Sequence, residues 1–507
     1  MTNIEDILGK GVSVLDYIVI GIFFAIIIGI GVYFGRTTKS TAQYFGAGKQ
    51  VPWWLSGASF YMISFSVMAF VMHSELAYKY GFVTFSLSWM AVPAAIFSGL
   101  LFARRWRRIV TTSPLEYIEE RYGAGMRQAL VWFGLPTRLL DNSLRLFAIG
   151  VVISAGLGFS FEHAIIICVT IVLMFSFLGG LKATIIADFV QLILLLIAVI
   201  ALPFLAFKAA GGFQTTMQAL PPEFWKFTRP DTTPIAYTAF YLFSYFLLLF
   251  LNYSTSWALT QRYYSTKDDK GAMKIGILVG VLYLVGTPLF YGAGLAAQQL
   301  FPGMENTKDV FVVLGRSLLP VGMLGMLIAA LFSATMSTLA GEFNAISAVV
   351  TNDFYKRFVS PKASDTHYLV VGRLGMVTAA LIILGLTLIW RSMQGAQDLF
   401  NLMATVFAIF LPPVALTMLL GMLTPKVSAT GAKLALGLGI LLGLSAFALG
   451  NLEIFSRLNL RAVYVLVPLS CCGTLLIMAL GSFFKPDHGE RQEQVVKFFR
   501  KVKGETV

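Results

Sequence analysis

The chain reads as a succession of apolar runs parted by short polar stretches. Thirteen such runs can be counted, centred near Ile22, Ser64, Ala91, Phe147, Val172, Leu195, Phe246, Leu284, Met336, Ala379, Ala408, Leu441 and Val467. Each holds about 18 to 25 residues, the length a helix needs to cross ~30 Å of hydrocarbon. The pattern predicts an all-α polytopic membrane protein with about 13 transmembrane helices. The first run, "LDYIVIGIFFAIIIGIGVYF", has no basic start and is too long for a signal-peptide core, so a retained anchor is expected.

Two runs are interrupted. "WWLSGASFYMISFSVMAFVMHSELAYKYG" carries Ser56, Gly57, Ser59, Ser64 and Ser66; "FYLFSYFLLLFLNYSTSWALTQRYY" carries Asn252, Ser254, Thr255 and Gln261. Counted without the anchor, they are the first and sixth runs, each opening a block of five. Polar-interrupted helices at equivalent places in two halves point to an inverted-repeat transporter with its site at mid-membrane. Ser/Thr packing between helices is the plainer alternative.

Composition agrees: 57% of the 507 residues are hydrophobic and 12% charged, too few charges for the surface of a soluble protein of this length. The net charge of +13 does not indicate nucleic acid. Roughly two thirds of the 38 Lys and Arg fall in the loops that share a side with the C-terminus, the positive-inside signature. The expected placement is a multi-pass cell-membrane protein, N-terminus outside and C-terminus cytoplasmic, with the tail "KFFRKVKGETV" a lipid contact. Cys168, Cys471 and Cys472 lie inside apolar runs and offer no disulfide framework. No glycine loop with lysine cradles a phosphate. No organic cofactor, nucleic acid or protein partner is expected; the partners are a small solute and the bilayer.

Three constellations carry chemistry. In "SATMSTLAGEFNAISAVVTNDFYKRF", Ala334, Thr338, Glu342 and Ala345 form one helical stripe, with Ser337 beside it. Adjacent hydroxyls among small residues suit a hard cation such as Na⁺, which takes oxygen ligands; hydroxyls bonded to their own preceding turn are the alternative. Glu342 is an ionisable group in a span, which normally faces a cavity or a partner. It is read as an ion ligand, a proton carrier, a partner for an arginine, or an edge carboxylate. In "LPTRLLDNSLRLFAIGVV", Arg138, Asp141, Asn142 and Arg145 share one helical face. Asp141 can neutralise either arginine, leaving the other to clamp a substrate carboxylate, or the set is an internal ion-pair ladder.

Together these segments resemble the sodium:solute symporter family. The resemblance rests on "GGLKATIIADFVQ", the Ser333–Phe358 stretch, "TQRYYSTKD", "YFGAGKQVPWW", "TSPLEYIEERYG" and "FLPPV", and runs from about Tyr17 to the last span. It implies a LeuT-type five-plus-five inverted repeat with one extra N-terminal and two extra C-terminal helices. The implied division is 1–52 for the external segment, extra helix and cytoplasmic loop, 53–210 for the first repeat and 211–232 for an external loop. Residues 233–423 form the second repeat, 424–484 the two last helices and 485–507 a basic tail. It also implies Na⁺ as coupling ion, held by Ala334, Ser337 and Thr338 with the backbone carbonyls of Met62 and Phe65. A second ion or proton site would use Asp188 and Glu342, although Ala340 and Gly341 stand where further hydroxyl ligands are expected. Ser64, Ser66, Arg145 and Asn252 fall on substrate positions. The implied activity is Na⁺-coupled import by alternating access of an organic anion such as sialic acid, a sugar acid or a carboxylate, with a neutral sugar or myo-inositol as the other reading. An enzyme would need a nucleophile–base or metal set, and none is visible; a channel would not need paired broken helices; a transport-like receptor would need an output domain.

Overall fold

A computed structural model describes residues 12–36, 40–64, 67–110, 112–232, 235–392 and 396–505. Phe65 and Ser66, and most of the expected N-terminal external segment, lie outside the described residues. What is described is overwhelmingly helical. Several helices start where the sequence supplies a cap: the side chains of Ser13, Ser160, Thr238, Asp268 and Ser428 each accept a first-turn backbone N–H. Those donors have no partner within the helix, so a short polar side chain fixes the start.

The elements that position the site are α1 (Val14–Gly35), α2 (Trp53–Ser64), α3 (Val67–Tyr80), α4 (Val83–Ile109) and α5 (Glu116–Tyr122). They continue with α6 (Ala124–Leu157), α7 (Phe161–Ala209), α8 (Ala239–Thr255), α9 (Trp257–Tyr264) and α10 (Asp269–Leu300). The remainder are α11 (Val310–Leu318), α12 (Met323–Val349), α13 (Asp365–Ser392), α14 (Ala396–Leu423), α15 (Ala429–Leu449), α16 (Val463–Phe484) and α17 (Glu490–Lys503).

Among the described residues, nine helices are long and apolar enough to cross a membrane, or ten if the bent pair α8–α9 is one span. Three places account for the difference from the thirteen expected. The second apolar run is split into α2 and α3. The polar-centred α6 is not among the nine. Two runs are joined in α7, 49 residues long, which at ~1.5 Å per residue is more than twice the ~30 Å hydrocarbon depth. α7 is broken at Gly180, with φ 61° and ψ −161°. A β-carbon there would sit 2.8 Å from the Tyr44 carbonyl oxygen, so only glycine fits.

Close helix contact elsewhere uses the same device. A β-carbon on Gly276 of α10 would lie 2.4 Å from the Ala95 carbonyl oxygen and 2.7 Å from Gly99 Cα of α4. The two helices therefore meet backbone to backbone, as small residues allow in membranes. Among the nine long apolar helices, α12 is the most enclosed, every residue from Leu327 to Val349 being buried. Its start is capped from another helix: Asp16 of α1, itself buried, accepts the Gly322 and Gly325 N–H groups at 2.9 and 2.7 Å.

The C-terminal tail, expected as a lipid contact, packs one face against the protein. α17 buries Val495, Phe498 and Val502, with Phe498 stacked on Tyr117 of α5. Lys501 pairs with Glu120, and Arg108 donates to the Val502 carbonyl at 3.0 Å. Apolar residues recurring every three or four positions gave α17 a face to bury, and the protein's own basic side supplies the surface.

Candidate functional site

α2 ends at Ser64 and the chain resumes as α3 at Val67, while α8 and α9 meet at Ser256 with a 56° bend. Both breaks face α12. Gly341 makes the approach feasible: a β-carbon there would lie 2.7 Å from Ile63 Cδ1 and 3.5 Å from Ala258 Cβ.

At the first break, Thr338 Oγ1 of α12 donates across to the Ile63 carbonyl at 3.0 Å, and lies 3.0 Å from the Ala334 carbonyl of its own helix. Met62, expected to supply a carbonyl, is buried one residue before Ile63; Phe65 lies outside the described residues. Ser337 turns from Thr338 toward α7 and donates to Asp188 Oδ1 at 2.6 Å. Asp188 is thereby joined to the hydroxyl pair. Its Oδ2 accepts from Ser59 of α2 and from Arg262 of α9, the latter at 3.3 Å, and Arg262 also donates to Ser59 at 2.9 Å. Both charged groups have no exposure, and each supplies the counter-charge that makes burial of the other tolerable. Ile63 and Arg262 were not singled out from sequence, and Ser59 was noted only among the polar residues that interrupt the second run; an arginine next to Gln261 at the end of the other interrupted run was the signal for Arg262.

Beside this cluster is a cavity of about 100 Å³. Of the expected solute residues, Ser64, Arg145 and Asn252 all line it, as do Thr338 and Glu342; Ser66 is outside the described residues. Along α6 the lining runs from Arg145 through Asp141, Arg138, Thr137, Gly134 and Phe133 to Leu130. Fifteen residues at ~1.5 Å each carry it ~22 Å along one helix face toward the α6 N-terminus, which bears Arg127. At the other end, Tyr283 Oη donates to Ser64 Oγ at 2.9 Å and accepts from Tyr253 Oη at 2.9 Å.

The two arginines of α6 resolve unlike the simplest expectation. Arg145 Nε bonds Asp141 Oδ2 at 3.1 Å. Arg138 is not left over: its Nη1 lies 2.9 and 3.0 Å from the two oxygens of Glu342 on α12, and its guanidinium lies 4.5 Å from the centre of the Trp257 ring. Ser256 adds a bond to Glu342 at 3.4 Å. Of the four roles open to Glu342, the geometry supplies the arginine partner. Trp257 reaches this position because Gly134 has no side chain, a β-carbon there lying 2.6 Å from its ring. Among the described residues, the cavity lining thus holds two cations and two carboxylates in two pairs, summing to zero.

On the basic side, Asp353 accepts from Ser113 and Arg127, while Glu119 pairs with Arg127 and Arg357. The Arg357 guanidinium foremost, with Arg127, holds the Glu119 carboxyl below the usual carboxylate range.

Comparison with known proteins gives four findings. The family model described as "Sodium:solute symporter family" matches residues 44–439. The sodium/glucose cotransporter of Vibrio parahaemolyticus is 26% identical over 465 residues, covering 85% of this chain and 84% of that protein. The sodium/sialic acid symporter NanT of Aliivibrio fischeri is 26% identical, covering 93% of each. Among solved structures, the substrate-bound outward-open state of a Na⁺-coupled sialic acid symporter superposes with a TM-score of 0.76 at 19% identity, covering 94% of this chain and 98% of that one. At that identity the likeness speaks for the fold.

Proposed function

Because this chain belongs to the sodium:solute symporter family, a family of transporters and not of enzymes, we propose that it imports a small organic anion with Na⁺ by alternating access. The observation that carries this is the Thr338 hydroxyl of α12 on the Ile63 carbonyl at the break in α2. Around that bond, the hydroxyls of Ser337 and Thr338 and the carbonyls of Ala334, Met62 and Phe65 would form the oxygen cage of one Na⁺. Asp188 lies behind Ser337 with its charge already met by Arg262, which favours one Na⁺ per cycle over two. With a negative-inside potential, each entering charge releases ~2.3 kcal/mol per 100 mV. Solute binding must tighten Na⁺ binding by the same factor that Na⁺ tightens solute binding.

The solute site is Ser64, Ser66, Arg145 and Asn252. Arg145 commits only Nε to Asp141, which leaves its two Nη groups for a carboxylate, as in sialic acid or another sugar acid. A neutral sugar or myo-inositol is the second reading, favoured by the zero net charge of the cavity. Thirteen crossings follow if α2–α3 is one broken span, α6 another, and α7 two spans turned at Gly180. Residues 53–210 and 233–423 are then the two inverted repeats, with the basic side cytoplasmic and the N-terminus outside.

Purified protein in liposomes tests the reading: Na⁺-driven uptake of sialic acid, D-glucuronate or myo-inositol, abolished when choline replaces Na⁺. Equal uptake in choline refutes it.

A further inference from the structure

Asp141 is nine-tenths buried on the cavity wall, and its two oxygens differ. Oδ2 holds Arg145 Nε; Oδ1 is buried without a hydrogen-bond partner among the described residues. A carboxylate oxygen accepts and never donates, so only a donor brought to it can satisfy this atom. The other ionised groups of the cavity do not supply one. Arg138 is held by Glu342 and packed on Trp257, and Arg145 approaches from the Oδ2 side. The Nη groups of Arg145 and the unpaired oxygen of Asp141 therefore belong to one ion pair, which offers both a donor and an acceptor.

We propose that Asp141 is a specificity-determining residue: the solute carries an O–H or N–H donor on a carbon next to its carboxylate, the carboxylate going to Arg145 and the donor to Asp141 Oδ1. This rests on the solute-site reading above and deepens it, because a plain carboxylate would meet Arg145 but leave Asp141 repelling it. Sites that hydrogen-bond a substrate group reject analogues lacking it, since a buried polar atom is then left unpaired.

The test uses three acids on one skeleton: cyclohexanecarboxylate, 1-hydroxycyclohexanecarboxylate and 1-aminocyclohexanecarboxylate. Each is titrated against thermal unfolding of the purified full chain in Na⁺. The hydroxy or the amino acid is expected to protect at a concentration at least ~10-fold lower than the plain acid; whichever wins identifies the donor as hydroxyl or ammonium. In Asp141→Asn the difference is expected to shrink to within ~3-fold, whereas a merely structural Asp141 would weaken all three alike. The parent protein alone suffices should the variant not fold. Plain acid protecting as well as both analogues, protection by none of the three, or an Asp141→Asn protein keeping the parent's preference overturns the assignment. Stabilisation by Na⁺ without solute is a separate readout, so the coupling reading stands or falls independently.

Discussion

Thr338→Val isolates the sodium cage most cleanly, because it keeps the side-chain volume and removes only the hydroxyl. Thr338 Oγ1 lies 3.0 Å from the Ile63 carbonyl and 3.0 Å from the Ala334 carbonyl, and the residue is buried on the cavity wall. Losing one buried hydroxyl interaction costs ~1–1.5 kcal/mol, about tenfold in affinity. The variant should also lose baseline stability of ~1–3 kcal/mol where the Ile63 carbonyl loses its donor, and that loss is independent of Na⁺. The two effects separate by linkage. Na⁺ at a hundredfold excess over its dissociation constant stabilises the parent by ~2.7 kcal/mol; after a tenfold loss of affinity the same Na⁺ gives ~1.4 kcal/mol. Thermal melts in NaCl against choline chloride at equal ionic strength read this difference directly. Ser333→Ala is the control, since among the described residues Ser333 Oγ bonds only the Ala329 carbonyl of its own helix, at 2.7 Å, and Na⁺ protection should be unchanged. Thr338→Val protein protected by Na⁺ as fully as the parent would refute the cage.

Removing one member of the Arg138–Glu342 pair should destabilise by ~3–5 kcal/mol, whereas replacing both by methionine should recover most of it, because the larger penalty is an unpaired buried charge; a melting-temperature cycle checks this. Asp16→Ala should cost ~1–2 kcal/mol by uncapping α12 from α1, measured by thermal unfolding, while leaving the solute preference untouched. Glu119 has a folded pKa below its unfolded value near 4.5. Its contribution is therefore complete above that value and lost as pH falls through the folded one. Glu119→Gln should flatten the acid limb of stability below about pH 5 and leave neutral pH melts nearly unchanged, as the pair is partly exposed and screened.

The sequence by itself determined the class of the molecule. Apolar runs of membrane length and the polar interruptions within two of them follow from what hydrocarbon excludes, and that is local information. It also gathered Ser64, Arg145, Asn252, Thr338 and Glu342, which do line one cavity, because helical spacing and a family resemblance both bear on single segments. Which charge meets which was decided only in three dimensions. On α6 alone Asp141 can reach either arginine; the choice of Arg145 follows from Glu342, 204 residues away on α12, claiming Arg138. Likewise Arg262 reaches Asp188 only because α9 and α7 both pack on α12, and α17 buries one face on the protein because α5 presents Tyr117 to Phe498. Pairing energies depend on distance and burial, neither of which is written in the spacing of residues along one helix.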